Sequence, residues 1–193
     1  LTGTVTYTGD LNLRGGTVTV DTGASISGLR QLDVSGTAST TLNIDGSITT
    51  ASSSMFKVGY GQDGVINVTG DLDIGNSSEV RVGGGDSTGA RAEGTLNINN
   101  GGVVTVGTAG GTDNTNVVWV VSNGNEDASG IININSGGEL ITKRNISATG
   151  FDTKAAEVNF DGGVLTAGAA DLTLIVDRNT LKVNLLAGGG TID

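Results

Sequence analysis

The chain has 193 residues, with 34 Gly, no Pro, Cys or His, and only 3% aromatic residues, so a compact core built on Phe, Tyr and Trp is not available to it. The missing His and Cys exclude Ser-His-Asp and Cys-His catalysis, imidazole or thiolate zinc sites, haem ligation by those residues and any disulfide framework. Lys and Arg total 10 against 20 Asp and Glu, a net charge of −10 that argues against nucleic acid or an anionic membrane as partner.

Residue 1 is Leu rather than Met, so the expectation is a processed or excised piece, read as one domain over residues 1–193. No stretch approaches the ~18 apolar residues of a membrane span. Along the chain, Leu1 to Thr8 reads as strand, and an apolar-Asn-apolar triplet then recurs seven times. The copies are Leu11-Asn12-Leu13, Leu42-Asn43-Ile44, Ile66-Asn67-Val68, Leu96-Asn97-Ile98, Ile132-Asn133-Ile134, Val158-Asn159-Phe160 and Val183-Asn184-Leu185. Their spacings of 31, 24, 30, 36, 26 and 25 residues suit a coil with fixed strands and variable loops.

A glycine pair and a second strand follow in several copies: Gly15-Gly16 before Thr17-Val18-Thr19-Val20, Gly101-Gly102 before Val103-Val104-Thr105-Val106, Gly137-Gly138 before Glu139-Leu140-Ile141-Thr142, and Gly162-Gly163 before Val164-Leu165-Thr166. Glycine there marks a corner, because it accepts positive φ and close backbone approach. A third apolar run comes later, as in Met55-Phe56-Lys57-Val58, Val80-Arg81-Val82, Val117-Val118-Trp119-Val120 and Leu174-Ile175-Val176. The prediction is an all-β, single-stranded, right-handed parallel β-helix (β-solenoid) of about seven coils, three short strands per coil and roughly 34 Å length at ~4.8 Å per coil. Period-two alternation turns the aliphatics inward and leaves Asn43, Asn67, Asn97, Asn133, Asn159 and Asn184 to form an outward amide ladder. Ala169 to Leu186, the one segment with a helical look, is interrupted by β-branched residues and Asn179-Thr180.

The segment Val58-Gly59-Tyr60-Gly61-Gln62-Asp63-Gly64-Val65-Ile66-Asn67-Val68, with Gly94 to Val104, resembles the repeat of autotransporter-associated β-strand and related bacterial surface proteins, roughly V-G-x-x-G-x-G-T-L-x-I-x-x-G-G-x-V. The tail from Val158-Asn159-Phe160-Asp161-Gly162-Gly163 to Gly190-Thr191-Ile192-Asp193 is similar to the N-F-x-G-G-x-L … G-G-x-T-I-D stretch of the same proteins. The resemblance spans Thr41 to Asp193 and implies a right-handed β-solenoid at, or released from, a bacterial surface. In that family G-G-x-T-I-D runs on into further coils, whereas this chain stops at Asp193.

Parallel β-helices include polysaccharide lyases and hydrolases, whose sites gather carboxylates from neighbouring coils. Here Asp71 and Asp73 align with Val103 and Thr105 one coil later, and Glu139 and Lys143 are equally alone, so no active site is expected. Acidic turns at Gln62-Asp63, Asp86 to Glu93, Asn125-Glu126-Asp127 and Asp152 could offer oxygen ligands to Ca²⁺. None matches a calcium repeat or an EF-hand loop, and the expectation is a solvated edge with no cofactor. Thr19, Thr105 and Thr166 share one register after the glycine corner, but Ile141 interrupts any ice-binding array. Trp119 and Tyr60 sit on different coils and make no sugar platform, and Trp119 is read as core.

The ends carry the sharpest reading, because neither shows the helix or polar loop that covers the edges of natural solenoids. The expectation is a non-enzymatic, extracellular or cell-surface subunit that partners itself as a head-to-tail homopolymer. Its interface is assigned to Thr4, Val5, Thr6 and Tyr7 at one end and Val183, Leu185, Leu186, Thr191 and Ile192 at the other. Proline at Val5 or Val183 is expected to block it. The alternatives are an adhesin passenger segment that binds a glycan or cell-surface ligand through its loops and, third, a polysaccharide-degrading enzyme.

Overall fold

A computed structural model describes residues 1–77, 79–84, 92–107, 117–122, 128–148, 155–170, 172–176 and 180–193. The first coil runs through β1 (Thr4–Thr6), β2 (Asp10–Leu13) and β3 (Gly16–Val20). The second uses a long β4 (Ser25–Val34) that turns a corner, then β5 (Thr40–Ile44), and the third repeats this with β6 (Ser47–Val58) and β7 (Gly64–Val68). Three separate strands make each later coil: β8 (Asp71–Asp73), β9 (Glu79–Gly84) and β10 (Glu93–Ile98); β11 (Val103–Val106), β12 (Val117–Ser122) and β13 (Ser129–Asn135); β14 (Glu139–Thr142), β15 (Asn145–Ser147) and β16 (Ala155–Asp161). After β17 (Gly163–Ala167) come β18 (Leu181–Leu185) and β19 (Gly190–Ile192).

Every strand pair is parallel, and the described residues contain no helix. The chain is a β-solenoid with three faces. The ladder face stacks β3, β5, β7, β10, β13, β16 and β18. A second face stacks β1, the first parts of β4 and β6, then β8, β11, β14, β17 and β19. The third stacks β2, the later parts of β4 and β6, β9, β12 and β15, and reaches Ile175 through a bridge from Ile146.

Alternation drives this arrangement, since each strand turns every second residue inward, where only the coils above and below can cover it. Leu42, Ile66, Leu96, Ile132 and Val158 form one vertical column and are at most 3% exposed. Phe56 and Phe160 are buried in the same core. The corner pairs divide two tasks between their glycines. Gly101, Gly137 and Gly162 take positive φ (83°, 75° and 88°), which a Cβ resists. Their successors need close approach: a Cβ on Gly102 would stand 2.3 Å from the Val68 carbonyl oxygen, and on Gly138 2.4 Å from that of Ile98.

Three expectations require correction. Leu11-Asn12-Leu13 is not a ladder copy, because β2 lies on the third face and Asn12 pairs with Asp33. The ladder strand of the first coil is β3, where Thr19 stands in register with Asn43, so Gly15-Gly16 opens the ladder face rather than the second face. Thr19 therefore leaves the threonine register, while Thr105, Ile141 and Thr166 do share a column.

Candidate functional site

All the exposed large apolar side chains among the described residues lie at the two ends of the stack: Leu1, Val5 and Tyr7 at one, Val183, Leu185, Leu186 and Ile192 at the other. Val5 and Ile192 occupy one inward column of the second face, with six residues stacked between β1 and β19 filling it. Their exposure of 38% and 57% comes from position in the stack, since the inner residues of that column, such as Leu140 at 1%, are sealed. Thr4 and Thr6 flank Val5 on β1, and Thr191 precedes Ile192 on β19.

The end strands also expose main-chain groups. In a parallel ladder one residue sends both its N–H and C=O to one neighbour and the next residue to the other. Tyr7 N–H bonds Ser27 C=O and Ser25 N–H bonds Gly3 C=O, so Gly3, Val5 and Tyr7 face β4, and Thr4 and Thr6 carry the open edge of β1. Proline at Val5 would thus break the protein's own ladder; the edge position is Thr6. Leu186 N–H bonds Phe160 C=O, which leaves Val183 and Leu185 facing outward, so Val183 remains a position where proline removes an edge donor.

Sequence reasoning missed the counterpart of β18. Within the ladder face the opposite edge is β3, with Val18 and Val20 at the inward positions, whereas β1 shares its face with β19. Part of the β3 edge is taken by Leu1: its ammonium donates to Thr19 C=O at 2.6 Å, its carbonyl accepts from Asp21 N–H at 3.1 Å, and the Asp21 carboxylate lies 3.8 Å away. The signal was available in Leu1-Thr2-Gly3-Thr4-Val5, which has the spacing of Ile44-Asp45-Gly46-Ser47-Ile48 and Val68-Thr69-Gly70-Asp71-Leu72.

Outside the core, the asparagines do form a ladder. The Nδ2 group of Asn67 donates to Asn43 Oδ1 (2.9 Å), Asn97 to Asn67 (2.8 Å), Asn133 to Asn97 (2.7 Å), Asn159 to Asn133 (2.9 Å) and Asn184 to Asn159 (2.7 Å). Asn43 closes the row on Thr19 Oγ1 at 3.4 Å. A short parallel rung joins Asn135 to Asn99 at 2.8 Å.

No carboxylate cluster accompanies these features among the described residues. Asp71 and Asp73 pair with Val103 and Thr105, and Glu139 accepts a hydrogen bond from Thr166 at 2.6 Å. Asp63 spends Oδ1 on the Glu93 N–H at 2.8 Å. Asp86 to Arg91, Asn125-Glu126-Asp127 and Asp152 lie outside the described residues, among which no three metal-ligating side chains gather.

The third face carries a cation-aromatic cluster instead. Lys57 Nζ and the Arg81 guanidinium lie 4.6 and 4.8 Å from the centre of the Tyr60 ring, and both cations pair with Glu79. Trp119 is half-buried and pairs across the strands with Arg81, while Val118 and Val120 fill the core, so the expectation that Trp119 is core is corrected by the phase of β12. Arg81 Nε and Nη1 are sealed from water and have no hydrogen-bond partner, a cost offset in part by the ring contact.

A second buried cation escaped the sequence reading. Arg144 is fully buried at the corner between the second and third faces, where Nε donates to Gly107 C=O at 2.7 Å and Nη2 donates to Ser77 C=O. It thus ties together three successive coils. Burial lowers its pKa from the usual arginine range to about 10, so it stays charged at neutral pH and its charge is held by carbonyl dipoles. No family model, curated protein or solved structure matches the chain.

Proposed function

We propose that the chain is a non-enzymatic structural β-solenoid that assembles with copies of itself, head to tail, as a fibre or matrix subunit at or outside a bacterial surface. What carries this reading is the confinement, among the described residues, of the exposed large apolar side chains to the two end coils. An apolar column open at both ends is completed by another coil of the same cross-section, and the parallel edges supply donors and acceptors in matching register. Unlike ends meeting give a heterologous contact, which grows into a filament unless it closes. The surface location rests on the resemblance to autotransporter-associated repeats and on the thiol-free, acidic composition.

Negative-stain microscopy and light scattering of the purified chain test the reading. Filaments of constant width are expected, blocked by Val183→Pro and by Thr6→Pro. A wild-type chain that stays monomeric at high concentration, across salt and pH, overturns it.

A second reading, an adhesin segment that binds glycans, is favoured by the Lys57, Tyr60, Arg81 and Trp119 cluster, which combines π faces with cations suited to acidic sugars. Glycan-array binding lost in Trp119→Ala with no change in melting temperature would support it; no binding to any acidic glycan would remove it.

A further inference from the structure

Where the third face turns into the ladder face, the second, third and fourth coils share a cleft that takes no part in either reading of function. It holds about 560 Å³, within the ~300–1,000 Å³ usual for small-molecule sites. Its floor is the outward column beside the asparagine row: Thr41 on β5, Val65 on β7 and Thr95 on β10, in register and one rung of ~4.8 Å apart. Beside this column stand the exposed turn through Ser39 and the carboxylate of Asp63. Glycine sets the depth. Gly64 belongs to the lining, and a Cβ there would stand 1.8 Å from the Val34 carbonyl oxygen; on Gly94, one coil later, it would stand 2.2 Å from that of Val58. The backbone therefore sits close against the coil beneath at both levels, where any larger residue would push it out.

Asp63 is fixed from two sides: Oδ1 accepts the Glu93 N–H at 2.8 Å, and its carbonyl accepts the Gly36 N–H at 2.9 Å. Its Oδ2 and the hydroxyls of Ser39, Thr41 and Thr95 have no hydrogen-bond partner among the described residues. A carboxylate only accepts, while a hydroxyl both gives and accepts, so this set asks for a guest rich in hydroxyl groups. Val65 and the threonine methyls add an apolar strip on which the C–H face of a sugar ring can rest. No Lys or Arg among the described residues lines the cleft, and the chain carries a net charge of −10, so an anionic guest is repelled. The Lys57, Tyr60, Arg81 and Trp119 cluster on the third face has the opposite preference, because its charge excess is positive.

Resting on the glycan-binding reading but at a different place, we propose that this cleft binds a neutral sugar: Asp63 Oδ2 accepts from the sugar hydroxyls, Ser39, Thr41 and Thr95 exchange hydrogen bonds with them, and Val65 lies under the ring. The site occurs at one level of the stack. The column that holds Glu93 continues as Ser129 and Ala155, so the acidic edge ends with the fourth coil, and the floor column continues as Ile131 and Glu157 in place of threonine.

A glycan array carrying neutral and acidic oligosaccharides, followed by calorimetry with the neutral ones retained, tests the site. Neutral oligosaccharides should bind. Asp63→Asn keeps an acceptor for the Glu93 N–H but replaces the second carboxylate oxygen with a donor, and Thr95→Val removes a hydroxyl at nearly constant shape. Each should weaken binding about tenfold with the melting temperature unchanged. Trp119→Ala should leave neutral-sugar binding as it is. Neutral-sugar binding that survives both cleft variants, or binding of acidic glycans alone that Trp119→Ala abolishes, overturns the cleft as a site while leaving glycan binding in place. No binding to any glycan overturns both.

Discussion

The ladder face and the corner that holds Arg144 both stack one coil on the next, and they do so by different means. On the ladder face each coil repeats its neighbour: aliphatics stand on aliphatics, and each asparagine of the row from Asn43 to Asn159 both gives and takes one bond, so every added coil satisfies the one before it. At the corner no such repetition exists. A buried guanidinium crosses three coils to reach carbonyls at Gly107 and Ser77. The other corner of the third face, where β12 leads into β13, is irregular too: Val121 stands there at φ 68°, where the coil before it has Gly83 at φ 79°. Repetition makes stability uniform and local changes transferable; bespoke packing concentrates the energy in single side chains.

The largest expected effect tests the uniform region. Leu96→Ala should cost about 2–5 kcal/mol in urea denaturation, and Ile132→Ala a similar amount, because both leave a cavity in the same column. A wide disparity between them would break the idea that coils are interchangeable there.

Next is the corner. Arg144→Leu should cost about 1–3 kcal/mol by leaving buried carbonyls without a donor. The Arg144 corner should also respond to alkali. The folded-state pKa of about 10 lies below that of an arginine in the unfolded chain, so above about pH 10 the unfolded state binds more protons and the contribution of Arg144 to stability rises with pH. Below that window both states hold the proton and the contribution is flat. The difference in urea midpoint between wild type and Arg144→Leu should therefore grow in favour of wild type from about pH 9 to about pH 11.

Asn97→Ala, which removes two ladder bonds on a half-buried surface, should cost about 1 kcal/mol with no such alkaline change. Asn97→Asp should cost more at neutral pH, since a carboxylate cannot donate to Asn67 Oδ1, and should recover part of the loss in acid as it regains a proton. The smallest effect is expected at Val121. There Val121→Gly loses a buried side chain but relieves a β-branched residue from the left-handed region, so thermal unfolding should show it to be about 1 kcal/mol milder than Val106→Gly.

The same contrast explains what was legible in the sequence. Repeating positions announce themselves: the Leu96 column, the Asn43 to Asn184 ladder and the Gly101-Gly102 corner all follow from period and punctuation. The triplet Leu11-Asn12-Leu13 misled because alternation specifies inside and outside but not which of three faces a strand joins; only the pairing of Asn12 with Asp33 decides that. Trp119 misled for a related reason, since a run of valines on both sides hides the phase. Arg144 gave no signal, because a charge on a short strand normally marks solvent, and its carbonyl partners stand 37 and 67 residues away. At the ends, exposed apolar residues were foreseeable, and the place of Leu1 beside β3 was legible too, in the spacing it shares with Ile44 and Val68.

One property of the amide row reaches beyond stability. Turning over a single asparagine in it sets oxygen against oxygen on one side and nitrogen against nitrogen on the other, and so breaks two bonds; turning over all of them breaks none inside the row. The amides therefore behave as a line of coupled compass needles with one common heading, each Nδ2 pointing from Asn184 towards the Thr19 hydroxyl that accepts from Asn43. A hydroxyl can give or accept, so a newcomer docking on Asn184 meets a heading already set and inherits it, and a fibre of such rods would keep one electrical polarity along its whole length.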